Sequence, residues 1–364
     1  MRPTGGMRMV AVIAAAGLTL GAAGCGDAPA DEPSTGGSDN ATKYGACMVT
    51  DVGGIDDRSF NAAAWAGLQA AAKEKNNVEP KNTASADEAA YEPNLTQYVQ
   101  QKCNFVLSVG GLMIGATQKV AAANTGTQFA IVDGKVDGAS NVYPMQFDTA
   151  QAAFLAGYLA AGYTKSGKVG TYGGIKLPTV TVFMDGFVDG VAHHNQVKGT
   201  KVQVLGWDKA KQNGTFAEGF TDQNKGKSIS DTFVAQGADV ILPVAGGAGL
   251  GTAAAAQASN GKFAVIWVDQ DGCESAAQYC SAFLTTVVKN ISDAVKQAVV
   301  KGAGGEPLAA TPGFLGDLAN NGVSLAPYHD FDSKVPAALK AEVDKLKQDI
   351  VAGTVKVSSP SQPK

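Results

Sequence analysis

Apolar residues fall in short runs separated by longer Ala-rich stretches with helical spacing. Runs at 46–49, 105–109, 129–132, 169–172, 202–205, 240–244 and 263–268 are apolar on both faces, the pattern of buried parallel strands. Between them, 59–75 repeats Phe60, Ala64, Leu68 and Ala71 at helical spacing, with Ser59 placed to cap. The stretch 149–163 does the same with Ala153, Phe154, Gly157 and Ala161, and Pro178 opens a third helix over 180–192. Strands alternating with helices predict an α/β protein with parallel sheets, in two halves divided near Asp148.

The first forty residues break this pattern. Arg2 and Arg8 precede an uncharged apolar run at 9–20, too short to span a bilayer and of signal-peptide form. It ends in Ala22-Ala23-Gly24-Cys25, a lipobox with Ala22 in place of the usual Leu. Residues 1–24 therefore read as a lipoprotein signal peptide and Cys25 as the lipidated residue; the competing reading is ordinary Ala-x-Ala cleavage beside an incidental cysteine. Residues 25–43 are polar and rich in Gly, Pro, Ser and acids, a tether composition. An acylated cysteine would hold the chain to the outer face of a cell membrane. The remaining part, roughly 320 residues, is long enough for two domains with cores of their own.

Four of the five cysteines remain after Cys25: Cys47, Cys103, Cys273 and Cys280. An even number in an exported chain predicts disulfides. Cys273 and Cys280 are close enough to pair across a short loop, and Cys47 and Cys103 each lie beside a strand, but four cysteines allow three connectivities. Their spacing has no zinc-site form, and no metal site is expected. The net charge of −4, with no basic stripe, argues against nucleic acid. No segment after the leader is apolar enough to cross a membrane.

Enzyme-like strings fail on inspection. Gly226-Lys227-Ser228 lacks the first glycine of a phosphate-binding loop, which falls on Thr221, and reads as a solvated loop. The stretch Gly246-Gly247-Ala248-Gly249-Leu250-Gly251 follows a strand but misses the dinucleotide fingerprint in every frame. Of three histidines, adjacent His193 and His194 read as surface residues. Asp51, Asp56 and Asp57 form an acidic group without EF-hand spacing. A binder is expected, with no cofactor; the rival is an extracytoplasmic hydrolase with an activated water at those acids.

The sequence after the first strand, Val52-Gly53-Gly54-Ile55-Asp56-Asp57-Arg58-Ser59-Phe60-Asn61, resembles the GG-x-N-D-K-S-F-N-Q signature of the basic membrane protein family of bacterial substrate-binding lipoproteins. Asp56 stands for Asn, Arg58 for Lys and Ala62 for Gln. A second stretch, with Gly173, Gly174, Pro178, Phe183, Gly186 and Phe187, is similar to the family's G-G-x-x-x-P…F-x-x-G-F pattern. Thr285, Thr286, Lys289 and Asn290 follow its T-S-x-x-K-N pattern. The resemblance covers almost all of the chain beyond the tether. The spacing from Gly206 to Thr221 and the Cys273–Cys280 loop, which looks like an insertion near the ligand mouth, depart from it.

That resemblance implies a type I periplasmic-binding-protein fold, with two Rossmann-like lobes joined by a three-segment hinge. Crossings near Asp148, Asp271 and Thr311 would assign 44–148 plus 272–311 to lobe one, and 149–271 plus 312–364 to lobe two. It further implies a purine nucleoside ligand and, as partners, an ABC permease with its ATPase subunits. Phe60 and Phe183 would face the base from opposite lobes. Asp133 would meet the base edge with Asn61 and Asp51 nearby, and Asp269 would take the ribose hydroxyls, joined by Lys289. Gly246 and Gly247 would let backbone N–H groups approach the ligand. Asp56 would add an acid beside the cleft. A sugar or another small polar metabolite is the alternative ligand, and the hydrolase rival would be an extracytoplasmic nucleoside hydrolase.

Overall fold

Tyr44–Thr50, whose last five residues are buried, forms the inner strand β1 of the first sheet in a computed structural model that describes residues 42–363. The signal peptide, most of the tether and Cys25 lie outside the described residues. The first lobe continues through α1 (Phe60–Glu74), β2 (Val78–Ala84), α2 (Tyr91–Gln100), β3 (Phe105–Val109), α3 (Ile114–Ala123), β4 (Gln128–Val132) and β5 (Val142–Phe147). The second contains α4 (Thr149–Tyr163), β6 (Lys168–Gly173), α5 (Pro178–Lys198), β7 (Gln203–Leu205), β8 (Trp207–Asp208), β9 (Asn213–Gly214), α6 (Gln223–Ala235), β10 (Val240–Val244), α7 (Gly249–Ala258), β11 (Ala264–Asp269), α8 (Gly272–Ser275) and β12 (Phe283–Lys289). The chain ends with α9 (Ile291–Ala303), β13 (Phe314–Gly316), β14 (Val323–Leu325) and α10 (Ala337–Val351).

Two six-stranded sheets result, in the orders β13-β5-β4-β3-β1-β2 and β14-β12-β11-β10-β6-β7. All pairings are parallel except β12 with β14. Each sheet is an open α/β layer of the doubly wound kind, whose ligand sites lie beyond the carboxyl ends of the strands. The two lobes are therefore Rossmann-like.

Three segments join the lobes, but two lie elsewhere than expected. The chain first passes from β5 to α4 at Asp148. It returns between β12 and α9, at Lys289–Ile291, because β12 bonds to β11 and β14 in the second sheet while α9 packs on α1. It passes back between β13, which pairs with β5, and β14. The strand in 272–311 thus belongs to lobe two, and the one in 312–364 that pairs with β5 belongs to lobe one. Backbone bonds tie the crossings together: Asp148 N–H donates to Gly316 O at 2.7 Å, and Asn290 N–H to Gly322 O at 2.9 Å.

Sulfur bonds join Cys47 in β1 to Cys103 just before the neighbouring β3, and Cys273 to Cys280. The α4 helix is buried over 149–161 except at Gln151, and packs chiefly on α5. Their approach depends on glycine: a Cβ on Gly157 would stand 2.1 Å from the Phe187 carbonyl oxygen, and one on Gly190 2.0 Å from that of Phe154. Three local readings change. Gly226, Lys227 and Ser228 lie within helix α6, not in a loop. His194 is buried, with Nδ1 3.1 Å from the Thr200 hydroxyl and its ring against Tyr158. Helix α5 runs on to Lys198, where Gly199 ends it at φ 67°.

Candidate ligand-binding site

Strand ends from both sheets converge on one cavity. Asp51 closes β1 and Asp133 follows β4 in the first lobe; Asp269 closes β11 and Lys289 closes β12 in the second. Phe60 and Asn61 sit on the first turn of α1, Phe183 on α5, and Gly246 and Gly247 between β10 and α7. All nine residues line this single cavity. Two of the acids sit in a backbone conformation that side chains avoid: Asp133 has φ 57° and Asp269 φ 69°. Such positions persist where the surroundings impose them, and they concentrate at functional sites.

The polar groups divide the work among themselves. Asp57 is committed to the helix: its carboxylate accepts the backbone N–H groups of Ser59 (3.1 Å), Asn61 (2.8 Å) and Ala62 (3.0 Å). Ser59 holds the N-cap position, but its hydroxyl makes no cap bond and is buried without a hydrogen-bond partner. The cap expected of Ser59 is thus supplied by Asp57. Asn61 donates from Nδ2 to Asp51 Oδ1 at 2.9 Å, leaving its own Oδ1 buried and unpartnered. The Lys289 ammonium bonds Asp133 and stands 3.8 Å from Asp269 Oδ1. It also lies 4.8 Å from the Phe60 ring centre and 5.3 Å from that of Phe183, so a ring from each lobe approaches the same ammonium.

Burial dominates the electrostatics. It pushes Asp51 up to about 7, against the relief from Asn61 and with the other acids adding to the rise. Asp269 is likewise pushed up to about 7 by burial, despite Lys289. Burial raises Asp133 as well, opposed by Lys289, and raises Asp57, opposed by its three backbone donors. Four buried carboxylates around one ammonium favour a neutral ligand rich in hydrogen-bond donors and repel an anion.

A profile described as "ABC transporter substrate-binding protein PnrA-like" matches residues 45–360. The chain belongs to the Bmp family. Family members are substrate-binding proteins of ABC transporters, so this Bmp protein is a binder and not an enzyme. It is 32% identical to the "CD4+ T-cell-stimulating antigen" of Listeria innocua, over 96% of each chain. It is also 32% identical to the "ABC transporter nucleoside-binding protein BmpA" of Lactococcus lactis, over 87% of this chain and 90% of that protein. Its fold matches an ABC transporter solute-binding protein from Aeropyrum pernix, with a TM-score of 0.76 at 23% identity, over 87% of this chain and 94% of that one.

Within this Bmp protein, several wall residues escaped the sequence. Gly110-Gly111 follows β3 as Gly246-Gly247 follows β10, so the same strand-end signal could have found it. Thr179 follows Pro178 at a helix start, where a ligand-facing residue is expected. Phe220 lies in a loop with no periodicity and carried no signal. Asp56 and the Cys273–Cys280 loop fall away from the site: Asp56 is exposed, and neither lines the cavity. Asp271 and His329 do lie near Cys273 in metal-ligand fashion, but a disulfide sulfur is not a thiolate ligand.

Proposed function

We propose that this chain is a lipid-anchored receptor for a purine nucleoside, held to the outer face of the membrane through Cys25, which delivers its ligand to an ABC permease and its ATPase subunits. The carrying observation is the pair of rings, Phe60 from one lobe and Phe183 from the other, that line one cavity walled by acids. A purine ring is a flat apolar plate that stacks between such rings. Its polar edge would meet Asp51, Asn61 and Asp133, and the unpartnered Asn61 Oδ1 supplies an acceptor for a ring or amino N–H. Ribose hydroxyls would donate to Asp269 beside Lys289, with the backbone at Gly246 and Gly247 close by. A neutral nucleoside suits the excess of buried carboxylates, whereas a nucleotide would bring phosphate into it. The Lactococcus relative, named a nucleoside-binding protein, points the same way.

Because the walls come from both lobes, ligand binding stabilises the closed arrangement, the form a permease can recognise. The test is a thermal-shift series on residues 44–364, refolded to remove carried-over ligand. Adenosine, guanosine, inosine, uridine, free bases, ribose and several sugars are compared at equal concentration. A ligand at about a hundred times its Kd adds about 2.7 kcal/mol of stability. Purine nucleosides are expected to raise the melting temperature, and Phe60→Ala and Phe183→Ala each to remove the rise. A response to a sugar with none to any nucleoside would sink the reading.

A further inference from the structure

The last residues of a domain are loosely held unless something ties them down. After α10 the chain returns to α5, and side chains of lobe two fasten it there. The Lys209 ammonium, paired with Asp189 at 2.6 Å, donates to Ser358 O at 2.6 Å. The Ser359 hydroxyl donates to Asp185 Oδ2 at 2.5 Å, a fully buried carboxylate whose Oδ1 takes Trp207 Nε1 and Gln212 Nε2, each at 2.9 Å. The Ser361 and Thr181 hydroxyls lie 2.7 Å apart. Gln362 then folds back on the segment, its Oε1 accepting from Ser359 N–H at 2.9 Å. Its Nε2 reaches both carboxylate oxygens of Asp148, at 2.8 and 3.0 Å.

Asp148 is the first hinge crossing, and it is held from both lobes. Its backbone N–H bonds Gly316 O at the end of β13, in lobe one. Its carboxylate is held from lobe two, by Gln362 and by Gln151 Nε2 of α4 at 2.8 Å. Gln151 Oε1 accepts in turn from Leu318 N–H at 3.1 Å, in the third crossing. Burial raises the Asp148 carboxyl, and the Gln362 and Gln151 amides oppose that rise by bonding its charged form. The same tail walls a second cavity between the lobes. Ser361 and Pro363 line it together with Gly111 and Lys135 of lobe one and Leu177 and Val182 of lobe two. This chamber shares Asp133 and Thr179 with the ligand cavity.

We propose that residues 358–363 form a strap on the hinge, with Gln362 the positioning residue that fixes Asp148 against lobe two. Opening of the lobes turns backbone dihedrals at the crossings. Rotation at Asp148 has to break either its N–H bond to lobe one or its carboxylate bonds to the strap and α4. The strap therefore opposes opening, and it does so whichever ligand the cavity takes.

Hydrogen exchange on ligand-stripped protein reads the hinge directly. Two variants are compared with the wild type: Gln362→Ala, which removes one amide, and a chain ending at Val357, which removes the strap. A hydrogen bond to a carboxylate is strong enough that its loss is expected to speed exchange of the Asp148 and Leu318 amides about tenfold. Amides within β3 and β10 are expected to keep their wild-type rates, and the radius of gyration from small-angle scattering to rise in both variants. Gln362→Ala alone decides the matter if the shortened chain does not fold. Unchanged exchange at Asp148 and Leu318 would overturn the proposal. So would acceleration spread evenly over α5 and both sheets, because a segment that merely packs on lobe two loosens that packing and not the crossings. Neither of these results touches the nucleoside reading, which the thermal-shift series tests separately.

Discussion

Asp51 shows how one side chain carries both a local cost and the site's chemistry. It is buried at the end of β1, bonded to Asn61, and faces Asp57, Asp133 and Asp269 around the cavity, with Lys289 paired to Asp133. Its folded pKa of about 7 lies above the ordinary carboxylate value, so the folded state binds more protons than the unfolded chain between those two pH values. Stability in that interval therefore falls as pH rises. Asp269, also pushed up to about 7, adds a loss of the same sign. Ligand-stripped protein is expected to melt at lower temperature at pH 7.5 than near pH 5, and Asp51→Asn to flatten the slope. A wild-type melting temperature that rises across this interval would contradict the burial argument. At this scale the sequence was informative for acids and rings in matched motifs, since Asp51, Phe60, Asn61, Asp133, Phe183, Asp269 and Lys289 all reach one cavity. It was misleading where a side chain has a choice of partners. Ser59 has the right type and position for a cap, yet Asp57 two residues earlier takes the helix N–H groups.

At the scale of elements, legibility follows burial. Strands buried on both faces, such as β1, β3 and β10, show as continuous apolar runs. The edge strand β2, Val-Glu-Pro-Lys-Asn-Thr-Ala, gives no such run because only Val78 is buried, and an edge tolerates Pro80. The strand β12 is buried and largely apolar, but hydrophobicity does not reveal which sheet a strand joins; the second crossing rested on the family resemblance and fell one strand too early. The contact between α4 and α5 was equally hidden, since glycine inside a helix reads as a weakness until a backbone is found against it. Gly157→Ala puts a methyl against the Phe187 carbonyl, a backbone atom that cannot swing away. Overpacking of about 1–3 kcal/mol outweighs the helix-propensity gain of up to about 1 kcal/mol. A lower denaturation midpoint is expected. Gly115→Ala in α3, where a new Cβ meets nothing within 4 Å, should raise the midpoint or leave it unchanged. Similar midpoints for the two variants would mean that the α4–α5 contact is looser than the backbone distances show.

Across the whole molecule, the coupling of the lobes runs through the site itself. Asp133 follows β4 in the first lobe and Lys289 ends β12 in the second, and both are buried, so their ion pair bridges the cleft beside the hinge crossing at Asn290. Removing one member of such a pair leaves the other charge buried without compensation, at a cost of about 3–5 kcal/mol. Lys289→Met strands Asp133 and Asp269 together, whereas Asp133→Asn leaves the ammonium with Asp269 at 3.8 Å. Each single variant is expected to lower the melting temperature of ligand-stripped protein. Each should also shift its small-angle scattering toward a larger radius of gyration, as the lobes separate to hydrate the stranded charge. The double variant Lys289→Met with Asp133→Asn removes both charges, and should cost less than the two singles added together. Additive losses with an unchanged radius would show that the two side chains do not couple, and that closure depends on ligand contacts alone. A non-additive loss with an expanded radius would show that the residues walling the cavity also set the resting angle of the lobes. In that case ligand affinity and cleft closure are adjusted by the same side chains, because any ligand contact with Asp133 or Lys289 also acts on the bridge between the sheets.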